Sequence, residues 1–193
     1  MSSQEQPSMI HYAMNFGAVV GVYYIAKFCL FPMSLRSTFA GLLFIGLTLV
    51  VPVFVYKLTR LYRDRYVVGN LTFVHALAFA MLTMGFGSLL ASVAHYIYFA
   101  FIDGGAMVGA LEQSIEQMAS LLSTENITEM NIEQSALFDD YISMLRTTAE
   151  QIRELTPIDM TIGMLSNNLS WSVVVALPVA AFASIRKSKQ RQS

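Results

Sequence analysis

Four long apolar runs, at about residues 10–31, 38–56, 71–102 and 158–185, constrain this chain more than any other feature. Each reaches the ~20 residues that a helix needs to cross a hydrocarbon core ~30 Å thick. They predict an all-α integral membrane protein with four transmembrane helices, in contact with the lipid bilayer. Charged residues make up only 13% of the chain, about half the share usual in soluble domains. The stretch before the first run carries no Lys or Arg, and that run is longer than the 7–15 residues of a signal-peptide core. It therefore reads as a retained first span. Cys29 is the one cysteine, so no disulfide forms within the chain.

The charges are segregated, and their placement sets an orientation. Lys57, Arg60, Arg63 and Arg65 lie between runs two and three, and Arg186, Lys187, Lys189 and Arg191 follow run four. The first connection holds only Arg36, and the long segment before run four only Arg146 and Arg153. The positive-inside rule places the second connection and the C-terminus in the cytoplasm, and four spans then return the N-terminus there too. Basic clusters with interleaved Tyr62 and Tyr66 also suit nucleic acid or anionic lipid. Their position at span ends assigns them to topology, with no nucleic-acid partner.

The acidic residues show the opposite bias. All but Glu5 and Asp64 fall between Asp103 and Asp159. Residues 104–156 thus form an acidic insert, too long for a simple turn. Val108, Leu111, Ile115, Met118 and Leu122 recur at helical spacing. After a polar break, Asn131 suits an N-cap with Gln134 at the capping-box position, and Leu137 or Phe138, Tyr141, Leu145, Thr148, Ile152 and Leu155 form a second stripe. The expectation is an extracytoplasmic helical hairpin inserted between transmembrane helices three and four, its apolar stripes facing each other or the membrane surface. Thr156, Pro157 and Asp159 then mark the start of the last span. Scattered helical carboxylates without an EF-hand loop read as a solvated face, and the methionines have no compact metal-binding array. No metal and no cofactor are expected.

Within the spans, Ala13, Gly17 and Gly21 form one ridge of small residues, and Thr83, Gly87 and Ala91 another. Such ridges let helices approach closely in lipid, so spans one and three are expected to pack through them. Pro52 and Pro178 sit in similar Val-Pro-Val and Leu-Pro-Val settings, and Phe16-Gly17 resembles Phe86-Gly87. These matches are too short to establish a duplicated hairpin.

Polar groups inside spans raise a functional question by default. Lys27, His95 and the pair Asn167 and Asn168 fall near the outer leaflet, with Asp103 at the rim, and form a candidate polar pocket. The plainer reading has Lys27 snorkelling, His95 joining an aromatic belt and the asparagines bonding neighbouring helices. His75 and His95 are ~30 Å apart on one helix and cannot share a metal. Zinc-protease, nucleophile-elbow, Walker A and dinucleotide-binding spacings are absent from the sequence, so no enzyme is expected.

Asn15-Phe16-Gly17, the run Tyr96-Ile97-Tyr98-Phe99-Ala100-Phe101-Ile102-Asp103, the acidic insert and the terminal Ile185-Arg186-Lys187 together resemble the domain of unknown function 4199 family. The resemblance covers about residues 10–190. It implies a four-helix fold in a bacterial inner membrane, typical of Bacteroidetes, and carries no established activity. That family commonly has Pro after the Asp, where this chain has Gly104-Gly105. Two functional expectations follow. The first is a non-enzymatic interaction or assembly component of the cell envelope, engaging a protein partner through the acidic insert or forming a homo-oligomer. The alternative is a small-solute or ion transporter or channel acting as an oligomer.

Overall fold

The computed structural model describes residues 8–35, 37–125 and 132–185. It contains helices α1 (Met9–Ser34), α2 (Thr38–Tyr66), α3 (Phe73–Phe101), α4 (Ala106–Glu125), α5 (Ile132–Glu154) and α6 (Pro157–Ser184), and no strand among the described residues. Four of these, α1, α2, α3 and α6, are long and apolar enough to cross a membrane. This is the architecture of a multi-pass helical membrane protein. At 26–29 residues and 1.5 Å per residue, each outlasts a ~30 Å hydrocarbon core and carries its ends into the headgroup zones.

The helix ends follow from local chemistry. The Ser8 hydroxyl accepts the His11 N–H, and the Thr72 hydroxyl accepts the His75 N–H. At the start of α6, Thr156 accepts the Asp159 N–H while the Asp159 carboxylate accepts the Thr156 N–H. This reciprocal capping box, with Pro157 in the first turn, satisfies N–H groups that a helix start otherwise leaves orphaned. Helix α2 runs ten residues past its apolar run, because nothing from Lys57 to Tyr66 breaks a helix and Arg60 pairs with Asp64 one turn on. It stops where Val67 turns extended and Gly69 takes a φ of +97°.

The four long helices close into a ring in the order α1, α3, α6, α2. The α1–α3 and α3–α6 seams are the most extensive, and α2 completes the ring against α1 and α6. Gly17 of α1 and Gly87 of α3 meet backbone to backbone: a Cβ on Gly87 would sit 3.1 Å from the Gly17 carbonyl oxygen and 2.8 Å from Val20 Cγ1. Gly21 lies as closely on Leu90. Absent side chains let the α1 and α3 backbones touch, which is the source of attraction between helices where lipid offers no hydrophobic drive. Around this seam lie Val20, Tyr24, Val55, Met84 and Ala176, fully or nearly buried.

The two ends of the ring differ. At one end Tyr62 stacks on Phe79 with centroids 3.9 Å apart, and Tyr12 stacks on Tyr66 at 4.2 Å. There Arg63 Nη1 donates to the carbonyls of Ala183 (2.8 Å) and Ile185 (3.2 Å), tying α2 to the last turn of α6. Cationic donors on orphan C-terminal carbonyls also complement the helix dipole. Helices α4 and α5 occupy the opposite end.

Helices α4 and α5 run antiparallel. Glu112 pairs with Arg153, and Glu116 with Arg146. Between them Ile115, Ile142 and Ala149 are buried, flanked by Leu111, Ala119 and Leu145. The α5 face against α4 is therefore one step from the stripe expected above: Tyr141 and Thr148 are exposed, and Ile142 and Ala149 take the inner positions. On α4, Ala119 packs where Met118 was expected, and Met118 is exposed. Small alanines at the contact let the two helices close up, a criterion that side-chain hydrophobicity alone does not reveal. The expected cap at Asn131 lies outside the described residues.

Candidate functional site

Two residues of the candidate polar pocket, Lys27 and His95, lie beside linked aromatic rings. His95 is 3% exposed, its ring 4.2 Å from that of Phe28, which also contacts Phe31, Tyr98 and Phe99. Its Nδ1 meets no hydrogen-bond partner among the described residues. Lys27 is half-buried and places Nζ 5.5 Å from the centroid of Tyr24 and 5.3 Å from that of Phe44. Both rings offer their electron-rich faces to the ammonium. Asn168 lies next to Leu169, whose side chain is the neighbour of Gly85 on α3. Asn167 is exposed on the outer surface of α6. Lys27 and His95 thus flank one aromatic cluster.

Asp103 is 6% exposed and already engaged. Its Oδ2 accepts the Gly105 N–H and its Oδ1 the Met107 N–H, both at 3.1 Å. The carboxylate therefore caps the start of α4. Gly104 and Gly105 have φ values of +52° and +83°, the left-handed geometry that turns the chain sharply from α3 into α4. Proline after Asp103 would hold φ near −65° and could not make this turn. Asp103 also lines a pocket of about 410 Å³ with Phe99, Val108, Arg153, Pro157 and Met160, between the end of α3 and the junction of α5 with α6.

A second cavity, also about 410 Å³, is a cleft between α2 and α6 lined by Pro52, Val53, Tyr56, Pro178, Val179 and Phe182. Each helix contributes the same i, i+1, i+4 set. The matching Val-Pro-Val and Leu-Pro-Val motifs were its only signal in the sequence. Its walls are apolar apart from the Tyr56 hydroxyl.

The most distinctive chemistry sits on α4 and α5. Asp139, Asp140, Glu150 and Glu154 are exposed on α5, and Glu116 on α4. Arg146 and Arg153 turn toward α4, with Arg146 making two bonds to the Glu116 carboxylate at 3.0 and 3.1 Å and Arg153 one to Glu112 at 2.8 Å. Both basic side chains of the insert are spent on these pairs, so the other charged side chains described on α4 and α5 are all acidic. Helix α4 is fastened to the bundle at two points. Asp103 holds its start, and the Ser114 hydroxyl, shared between the Ala110 carbonyl of its own helix (2.9 Å) and the Leu35 carbonyl at the end of α1 (3.2 Å), touches the ring. Among the described residues no three His, Cys, Asp or Glu side chains cluster closely enough to hold a metal ion.

The model of a family described as a protein of unknown function (DUF4199) matches residues 15–184. The chain belongs to that family. The DUF4199 match begins in the second turn of α1 and ends with the last residue of α6, so it takes in the ring and the α4–α5 pair alike. No curated protein and no solved structure matches the chain.

Proposed function

We propose that this DUF4199 protein is a non-enzymatic component of the bacterial inner membrane. In this reading its N- and C-termini are cytoplasmic, and an extracytoplasmic hairpin of α4 and α5 engages a basic surface on another envelope component. The observation that carries the reading is the charge of the insert. Residues 104–156 hold Glu112, Glu116, Glu125, Glu129, Glu133, Asp139, Asp140, Glu150 and Glu154 against only Arg146 and Arg153, and both arginines are ion-paired within the insert. A surface of one sign steers encounter with an oppositely charged partner and repels others. The orientation rests on Lys57, Arg60, Arg63 and Arg65 at the opposite end of the ring.

The two arginine pairs are exposed, and such pairs add little stability, about 0–1 kcal/mol each. They join α5 to α4 across the edge of the buried contact, and Asp139, Asp140, Glu150 and Glu154 stay exposed. The alternative is a small-solute or ion transporter or channel acting as an oligomer, for which Lys27 and His95 beside one aromatic cluster are the observation to pursue.

A photo-crosslinking residue at Asp139 or Glu150, in native membranes, tests the reading. One discrete adduct is expected, weakened by high salt and lost when Asp140, Glu150 and Glu154 are changed to Lys alongside an Asp139 probe. No adduct, or one indifferent to charge reversal and salt, would overturn it.

A further inference from the structure

Helix α5 carries more apolar surface than α4 covers. At 100° per residue, the buried Ile142 and Ala149 with Leu145 and Ile152 form one apolar face. A second, adjacent edge comprises Leu137, Tyr141 and Met144, which are 70%, 46% and 57% exposed. Asp139, Ser143, Glu150 and Glu154 lie on the far side of the helix from both. The uncovered edge is a continuous stripe at steps of four and three, continued by Thr148, and not a scatter of single residues.

The direction of that edge can be read from its C-terminal end. Leu155 follows Leu137 by eighteen residues, about five turns, so the two share one side of the helix. Leu155 directly follows the last residue of α5, and its N–H bonds the Ile152 carbonyl at 3.2 Å, a tightened final turn that keeps it on about the same side. Leu155 faces the pocket formed with Phe99, Pro157 and Met160 at the outer end of the ring. The side of α5 that bears Leu137, Tyr141 and Met144 is therefore the side that faces the ring and the bilayer around it.

The tilt of the pair follows from its attachments. Asp103 and Leu35 both lie at the end of the ring, and α4 touches them at its first turn and at Ser114, about 12 Å further along. Helix α4 thus runs across the end of the ring, and α5, antiparallel to it, lies across as well. Past Leu155 the same apolar surface continues into Ile158 and Ile162, exposed on the first turns of α6.

From this geometry we infer that α5 is an interfacial helix: it lies in the plane of the membrane, with Leu137, Tyr141 and Met144 set into the boundary between headgroups and acyl chains. Its polar face is acidic, so its attachment draws on apolar burial and not on attraction to anionic lipid. The inference concerns the edge beside α4 and does not depend on whether the acidic face has a protein partner.

The test uses the full-length protein with Cys29→Ser, reconstituted in phosphatidylcholine vesicles. Single cysteines at Leu137, Tyr141, Met144 and Thr148, and at Asp139 and Glu150, carry a nitroxide label. Collision with oxygen, which concentrates in the bilayer, is compared with collision with a water-soluble nickel complex. The first four sites should favour oxygen several-fold more than Asp139 and Glu150, and adding phosphatidylglycerol should leave that contrast unchanged. All six sites meeting nickel equally would overturn the inference. So would shielding of the first four from both reagents, which would mean that a second copy of the chain covers the edge. Thr148→Cys is the mildest of these changes and keeps the test decisive if a larger side chain proves necessary for folding.

Discussion

Changing Gly17 to Ala tests the packing of the ring most directly. The added Cβ would lie 2.6 Å from Phe86 Cβ, 3.0 Å from the Thr83 carbonyl oxygen and 3.3 Å from the Gly87 nitrogen. Carbon atoms pack best at about 3.5–4.0 Å, so the first contact is roughly 1 Å too short. All three atoms belong to the α3 backbone or are bonded directly to it, and no rotamer change can move them. The helices must separate, and a gap of 0.5–1 Å forfeits about a quarter to a half of each dispersion contact along the seam. Overpacking of this kind costs about 1–3 kcal/mol. Alanine recovers about 0.8–1 kcal/mol over glycine in a helix. The expected net loss is about 0–2 kcal/mol, up to a roughly 30-fold shift toward the unfolded state, and about 1–3 kcal/mol relative to a glycine-to-alanine change that meets no contact. Gly46→Ala is the control, because nothing lies within 4 Å of its added Cβ, and it should be neutral or stabilising by up to about 1 kcal/mol. Both variants are measured by steric trapping or denaturing-detergent titration in mixed micelles. Gly17→Ala and Gly87→Ala together should cost less than their sum, since one displacement relieves both contacts. If Gly17→Ala is as stable as Gly46→Ala, the close approach of α1 and α3 is not what holds the ring together.

Three further outcomes follow from named contacts. Arg63→Gln should destabilise by about 1–2 kcal/mol through loss of charge-assisted bonds to the end of α6; faster amide exchange near Ala183 would report it, and unchanged exchange would refute it. Asp103→Ala removes the cap on α4 and should cost about 1–2 kcal/mol, with exchange rising in the first turn of α4, whereas Asp103→Asn should retain much of the protection. His95→Phe suits the ring cluster around Phe28 and removes an unpartnered ring nitrogen, so its effect in the same detergent titration should stay within about 1 kcal/mol. A larger loss would show that the His95 nitrogens carry bonds the fold needs.

The sequence by itself determined the four apolar helices, the acidic character of residues 104–156 and the family, because span length and charge segregation are properties of consecutive residues. The capping chemistry of Thr156 and Asp159 was equally local. Other features depended on how distant residues meet. The stripe on α5 was legible, but apolar residues wrap so far around that helix that periodicity could not say which of them α4 covers; Ile142 and Ala149 rather than Tyr141 and Thr148 meet it, packed on Ile115 and Ala119. Depth estimates from span ends put Lys27, His95, Asn167 and Asn168 in one leaflet. Only the packed helices show Lys27 and His95 beside one set of rings, Phe28, Phe31 and Phe44. Asp103 read as a pocket rim, and only the left-handed turn at Gly104-Gly105 bends α4 back over the ring so that the carboxylate becomes its cap. A one-dimensional pattern records the hydrophobicity and charge of each residue, whereas helix rotation and stagger are decided by contacts between residues far apart in the chain.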